Sequence, residues 1–159
     1  MSDATLPLSS AWAIWYHKCD DDRWDIGSYR KVFTFDTVQD FWKMANAMPP
    51  VSAGGLYFVM RAGVLPIYED EQNEPGGMWS FRLNKRKLQE SWTLTLLHLV
   101  GNTLATDMRP VNGVSINPNT AVMKIWVGRA PEDTERPDIT ASIPNVQPTK
   151  AKYTPHRRG

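Results

Sequence analysis

From Trp12 to Lys18 bulky residues alternate with small or polar ones, the two-residue period of a strand. The alternation breaks at Asp20, Asp21 and Asp22, which predicts an exposed loop, and Trp24 falls in that loop region. Tyr29 to Phe35 reads as a second strand. Asp36 and Gln39 then have the spacing of a helix N-terminal cap and its reciprocal partner. The helix they start is predicted to run to about Met48, because Pro49 and Pro50 cannot continue it. Phe41, Ala45 and Met48 share one face of it, and Val38 and Trp42 form an i, i+4 pair at the edge of that stripe. Leu56 to Ala62 and Met78 to Leu83 are further strands, with turns at Gly63 and at Gly76, Gly77 and an acidic loop, Tyr68 to Glu74, between them. A second helix is predicted over about Lys87 to Val100, with Leu88, Trp92, Leu96 and Leu99 on one stripe and Gly101 as its stop. Gly113 to Asn117 and Ala121 to Val127 flank Pro118, Asn119 and Thr120, the pattern of an antiparallel hairpin.

Strand pairs interrupted by two amphipathic helices and joined by short turns argue for an α+β domain in which helices cover one face of an antiparallel sheet. The other face is then free for a ligand. A chain of 159 residues is long enough for one such domain and too short to suggest two. Past Ala130 the character changes: Pro131, Pro137, Pro144, Pro148 and Pro155 recur, with Lys150, Lys152, Arg157 and Arg158 towards the end. Residues 1–130 are therefore expected to form the folded domain, and 131–159 a Pro-rich, basic segment that is partly ordered at most.

Charge and composition narrow the function classes. With 18 basic against 17 acidic residues there is no global field to draw in nucleic acid, so any such contact is local. Cys19 is the only cysteine, which excludes an internal disulfide and fits a reducing compartment. No apolar run approaches the roughly 20 residues of a membrane span, and Met1 to Pro7 lacks the basic start and apolar run of a signal peptide. A soluble protein of the cytoplasm is expected, with the nucleus as a second compartment. His17, His98 and His156 have no ligand-like spacing with Cys19 or the carboxylates. No glycine-rich phosphate loop or nucleophile elbow occurs, and neighbouring aspartates such as Asp20 to Asp22 point in different directions. A binding protein without cofactor or metal is expected rather than an enzyme.

The 7 tryptophans exceed what a core of this size needs when Leu, Ile and Val can fill it. A flat, cationic purine is held best between two aromatic faces, because dispersion and the pull of a positive charge on the ring quadrupole act on both sides. Guanine also offers N1–H and N2–H donors, which one ionised carboxylate can accept together. Trp24 and the Tyr68, Glu69 dipeptide have the residue types and loop placement for such a clamp.

These residues fall in a known order. Trp12-Ala-Ile-Trp15, Trp24, Phe35-Asp-Thr-Val-Gln-Asp-Phe-Trp42, Pro66-Ile-Tyr-Glu-Asp-Glu71, Gly76-Gly-Met-Trp79, Trp92-Thr-Leu-Thr-Leu-Leu97 and Lys124-Ile-Trp126 resemble the eukaryotic translation initiation factor 4E family over about Leu6 to Val127. The resemblance implies a curved antiparallel sheet with helices on its convex face and a cleft for the 7-methylguanosine cap of messenger RNA on its concave face. It implies that Trp24 and Tyr68 sandwich the methylguanine, that Glu69 accepts from N1 and N2, and that Trp126 contacts the N7-methyl group. Trp12, Trp15, Trp79 and Trp92 lie in regular elements and are expected in the core. The same resemblance implies a partner surface on the convex side, where an initiation factor 4G-type scaffold or a 4E-binding protein docks a helical motif on the positions of Pro7, Val38 and Trp42. Leu94 stands in the Thr93-Leu94 pair that replaces the family's usual Leu-Glu.

The match also has gaps. Basic positions that neutralise cap phosphates in the family are Asn117 and Val122 here, and two more are Gln72 and Met78. Lys124, on the strand face of Trp126 by alternation, is the best local substitute, with Asn117, Arg129 and the basic tail as weaker candidates. Weaker cap affinity and a shallow salt dependence are expected. Val127 to Ile139 carries Pro131 and Pro137 and no helical stripe, so the family's third helix is expected to be missing or shortened. A divergent paralogue fits better than a general initiation factor. The alternative is a 4E-like scaffold or translational repressor that acts through partner binding with little or no cap binding.

Overall fold

The computed structural model describes residues 5–143 and 146–156. Its strands are β1 (Pro7–His17), β2 (Arg30–Thr37), β3 (Leu56–Arg61), β4 (Gly77–Arg82), β5 (Val111–Asn117), β6 (Val122–Val127) and β7 (Lys152–Pro155). Helices α1 (Val38–Ala47) and α2 (Leu88–Val100) connect them. All seven strands join one curved antiparallel sheet in the order β2-β1-β3-β5-β6-β4-β7.

Because successive side chains leave a strand on opposite sides, β1, β3, β4 and β6 each contribute to two cores. Trp12 and Ile14 of β1, Val59 of β3, Trp79 and Phe81 of β4, and Met123 and Ile125 of β6 enter the larger core. There they meet Phe41 and Met44 of α1 and Leu88, Trp92, Leu96 and Leu99 of α2. The residues between them in sequence, Ala13, Trp15, Phe58, Met60 and Trp126, build a smaller cluster on the other face, with Met78 packed against it. The helices therefore cover one side, and the second side carries an aromatic layer with no helix over it. Trp12, Trp15, Trp79 and Trp92 are all buried, as their positions in regular elements predict.

Three features differ from the sequence pattern. β1 starts at Pro7 rather than Trp12, because its polar first half pairs with the far end of β2, Pro7 opposite Thr37. The N-cap of α1 is Thr37, not Asp36: β2 runs through Asp36, and the Thr37 hydroxyl at the turn accepts from the Asp40 amide at 3.1 Å. Gln39 accepts instead from the Leu6 amide at 3.1 Å, tying the helix start to the entry of β1.

The third difference concerns the C-terminal segment. After β6 no third α-helix forms among the described residues, in keeping with Pro131 and Pro137. Ile143 is buried in the larger core, and Ile139, Ala141 and Val146 pack against it. The chain then adds β7 at the sheet edge, with Lys152 opposite Ser80 and Thr154 opposite Met78 of β4.

Candidate functional site: an aromatic cleft on the open face

The loop between β1 and β2 is short of apolar residues but rich in local hydrogen bonds. Asp21 accepts from the Arg23 amide at 2.9 Å and pairs with its guanidinium, which holds the Asp21 carboxyl below the usual carboxylate range. This turn presents Trp24 to solvent, 48% exposed. One face of its ring lies flat on the His17 imidazole, with centroids 4.1 Å apart and planes within 3°. His17 is fully buried between two backbone carbonyls, with Nδ1 2.8 Å from that of Lys18 and Nε2 2.6 Å from that of Arg23. Trp24 is thus a backed platform whose second face is open.

A continuous path of ring contacts leads from this platform across the open face. Trp24 meets Tyr29 at 6.3 Å, Tyr29 meets Phe58 at 5.3 Å and Phe58 meets Trp126 at 6.1 Å. Trp126 meets His156 at 5.2 Å, and His156 meets Tyr68 at 6.4 Å. The path runs from Trp24 through Trp126 to Tyr68, three residues singled out in the sequence. Burial pushes the Tyr29 hydroxyl up to about 12, and the Glu69 carboxylate adds to that shift.

Tyr68 and Glu69 are exposed, but the loop bearing them is tightly built. Asp70 accepts from the amides of Leu65 at 2.9 Å and Gln72 at 2.8 Å. The fully buried Asn73 donates to the carbonyls of Leu65 and Ile67, both at 2.8 Å, and receives Asn112 of β5 at 2.8 Å. Asn73 and Asn112 are structural determinants that the sequence pattern did not single out, since a lone Asn in a loop or strand carries no local signature.

Trp126 is buried, and its Nε1 donates to Ser115 Oγ on the neighbouring strand at 3.0 Å. Gly113 lies opposite Trp126 at a register shift in β5, where a side chain would collide with the Val59 carbonyl. The strand can approach β3 closely only because that residue is glycine. His156 arrives from the end of β7, held by its Nδ1 donating to the Asn73 carbonyl at 2.8 Å, while its Nε2 is buried without a partner. Its pKa is lowered, by burial first and by nearby Lys124 as well, against the raising effect of the Asn73 carbonyl.

The remaining candidates separate. Lys124 is partly buried on the open face, next but one to Trp126. Asn117 accepts from the Asn119 amide at 3.0 Å and so helps to close the β5–β6 hairpin. The structure does not bring Arg129 to the cleft: its guanidinium reaches Asp107 at 3.4 Å, in a cavity of about 690 Å³ floored by Trp79 and Ile125 of the larger core. Arg157 and Arg158 lie outside the described residues. On the helix side, Pro7 pairs with Thr37, Val38 donates its amide to the Leu6 carbonyl at 2.8 Å, and Trp42 is 43% exposed one helical turn beyond Val38. Leu94 stands on α2 and packs partly against the larger core.

Residues 7–158 match the sequence model of the family described as eukaryotic initiation factor 4E. The chain belongs to this family. Curated members similar to it include initiation factor 4E of Aplysia californica, 35% identical over 86% of this chain and 66% of that protein. Initiation factor 4E of Saccharomyces cerevisiae is 34% identical over 84% of this chain and 66% of that protein. The chain therefore spans just under two thirds of the length of these relatives. Among solved structures of the family, Ascaris suum initiation factor 4E-3 with an m2,2,7G cap superposes with a TM-score of 0.74 at 28% identity, covering 82% of this chain and 77% of that one. Caenorhabditis elegans initiation factor 4E-3, in complex with the 4E-binding protein Mextli and a cap analogue, gives 0.72 at 27% identity, covering 79% of this chain and 76% of that one. The family fold is thus present with two α-helices among the described residues.

Proposed function

We propose that this chain binds the 7-methylguanosine cap of messenger RNA and acts, without catalysis, in translation initiation or its regulation in the cytoplasm. The observation that carries the reading is Trp24: a large aromatic face kept open to solvent while its other face rests on a buried ring. An indole held in this way loses little further freedom when a planar cation stacks on it. Glu69, whose carboxylate acts on the Tyr29 hydroxyl, supplies the anionic acceptor that the N1–H and N2–H edge of guanine requires. Trp126, with its Nε1 already tied to Ser115, offers ring rather than hydrogen-bonding surface to a methyl group. Tyr68 takes the second stacking position with a smaller face than an indole. Cap-bound relatives from Ascaris suum and Caenorhabditis elegans support the reading.

Two substitutions test these roles. Trp24→Ala removes the platform and is expected to cost about 1 to 3 kcal/mol of cap binding, the usual worth of one base–aromatic stack. Glu69→Gln keeps the shape but replaces one acceptor oxygen with a donor, and is expected to reduce methylguanine affinity by a comparable amount. Calorimetric titration with 7-methyl-GTP that found either variant unchanged would remove that residue from the site.

A second reading has its own observation. Trp42 is a large exposed apolar residue on the helix side, contiguous with Pro7 and Val38, and suits an amphipathic helix of a 4G-type scaffold or 4E-binding protein. On that reading the chain sequesters or assembles partners whether or not the cleft is filled. The Mextli complex of the Caenorhabditis elegans relative supports a partner of this kind. Trp42→Ala is the variant that separates the two, since it leaves the cleft intact.

A further inference from the structure

β2 ends the sheet on one side, and β1 is its only strand neighbour among the described residues. Its outer edge therefore offers backbone donors and acceptors with no strand to take them up. The side chains of this edge are open too. Arg30, Lys31, Val32, Phe33 and Thr34 are exposed in succession, Val32 by 41% and Phe33 by 37%.

The register assigns these residues to faces. Phe33 lies opposite Ile14 and Phe35 opposite Trp12, and both partners enter the larger core. The two phenylalanines are thus on the helix side, where their rings stack with centroids 6.4 Å apart. Thr34 lies opposite Ala13 and Lys31 opposite Trp15, both in the cluster of the open side, and Lys31 Nζ stands over the Trp15 ring at 5.2 Å. Val32 is the extra residue of a bulge, since Ile14 and Trp15 are neighbours while their partners Phe33 and Lys31 are not. Asp36 follows Thr34 by alternation and is exposed. The open row of β2 therefore reads Lys31, Thr34, Asp36: a cation, a neutral centre and an anion. Among the described residues neither Lys31 nor Asp36 forms an ion pair.

That row is its own complement. Two copies of β2 set antiparallel with Thr34 opposite Thr34 bring Lys31 of each opposite Asp36 of the other, once the bulged Val32 is passed over. Phe33 of each then lies opposite Phe35 of the other. Directly opposite side chains stand about 5 Å apart, the range in which opposite charges, threonine pairs and aromatic pairs stabilise a ladder. A bulge and edge cations deter a strand of unrelated sequence. A second copy answers the same cations with its own Asp36, which favours self-pairing over a foreign strand.

We propose that β2 is a self-association edge, along which two copies of this chain pair about a two-fold axis at Thr34 and continue the sheet from one copy into the other. The contact uses the same patch on both copies, so it closes at two. A strand of 8 residues buries less than an interface of standard size, and the dimer is accordingly weak and concentration-dependent. The proposal stands apart from the cap-binding reading and does not depend on it.

Sedimentation equilibrium of the full chain at rising concentration is the test. The wild type is expected to pass reversibly from monomer to dimer. Lys31→Glu and Asp36→Lys each turn two attractions into two repulsions, and each should weaken the dimer by about tenfold or more. Both positions are exposed, and an unchanged thermal midpoint shows that the variants fold. Mixed in equal amounts, the two variants regain both attractions in the heterodimer, so the mixture should associate as the wild type does while neither variant does so alone. Trp42→Ala should leave association unchanged. A wild type that stays monomeric up to about 1 mM overturns the proposal, whatever other strand the edge accepts. A dimer that both charge variants leave intact overturns it as well, as does a mixture no more associated than its parts. Loss of the dimer in Trp42→Ala alone moves the contact to α1 and overturns it too.

Discussion

At the residue scale, the cleft depends on side chains that lie behind its exposed rings. His17 supports Trp24 by parallel stacking and is itself buried between two backbone carbonyls. Removing the imidazole leaves the indole free to rotate, and the entropy of ordering it is then charged to binding. His17→Ala is expected to weaken cap binding several-fold, whereas His17→Phe restores a flat support and most of the affinity. Titration of both variants checks this, and equal losses in the two would show that the hydrogen bonds of His17, not its face, matter. Trp24, Tyr68, Glu69 and Trp126 stand out in the sequence by residue type and order, and the cap-binding roles proposed for them rest on that. His17 does not stand out, because a histidine at a strand end says nothing of what will stack on it.

At the scale of elements, periodicity located every strand of residues 7–127 and both helices, and errors fell at ends. The start of α1 is such a case: Asp36 and Thr37 both have capping side chains, and only the length of β2 decides between them. Thr37→Ala should cost about 1 kcal/mol of stability and Asp36→Ala close to nothing, as read from urea midpoints. β7 was hidden for a different reason. Four residues among recurring prolines give no periodic signal, and the strand forms only because β4 offers an edge. With it come Lys152 and His156, which no local pattern connects to Trp126. The loss of charge at the family's basic positions, Asn117, Val122, Gln72 and Met78, predicts a shallow salt dependence.

β7 also gives the fold a pH dependence. The folded-state pKa of His156 lies below its ordinary value of 6.5, chiefly through burial. Between the folded and unfolded values the unfolded chain binds more protons, so stability rises with pH across that window and falls as the solution is acidified through it. His156→Gln should remove that part of the dependence. Urea midpoints at about pH 5.5 and pH 8 are the check, and parallel curves for the variant and the wild type would contradict the assignment.

At the scale of the whole molecule, one sheet separates two surfaces of different make-up. The helix side contains the larger core, the exposed Trp42 and a cavity of about 690 Å³ bordered by Pro131 and Pro137, where the chain runs without a third helix. The open side contains the aromatic path from Trp24 through Trp126 to Tyr68. Since the surfaces share the strands but not the side chains, Trp42→Ala and Trp24→Ala should fail independently, one in partner binding and the other in cap binding. The measurement that tests the central claim most directly is intrinsic fluorescence during titration with 7-methyl-GTP, with unmethylated GTP as the control. Cap binding through Trp24 predicts saturable quenching by the methylated nucleotide and little by the other. Equal responses to both nucleotides, or none to either, would contradict it.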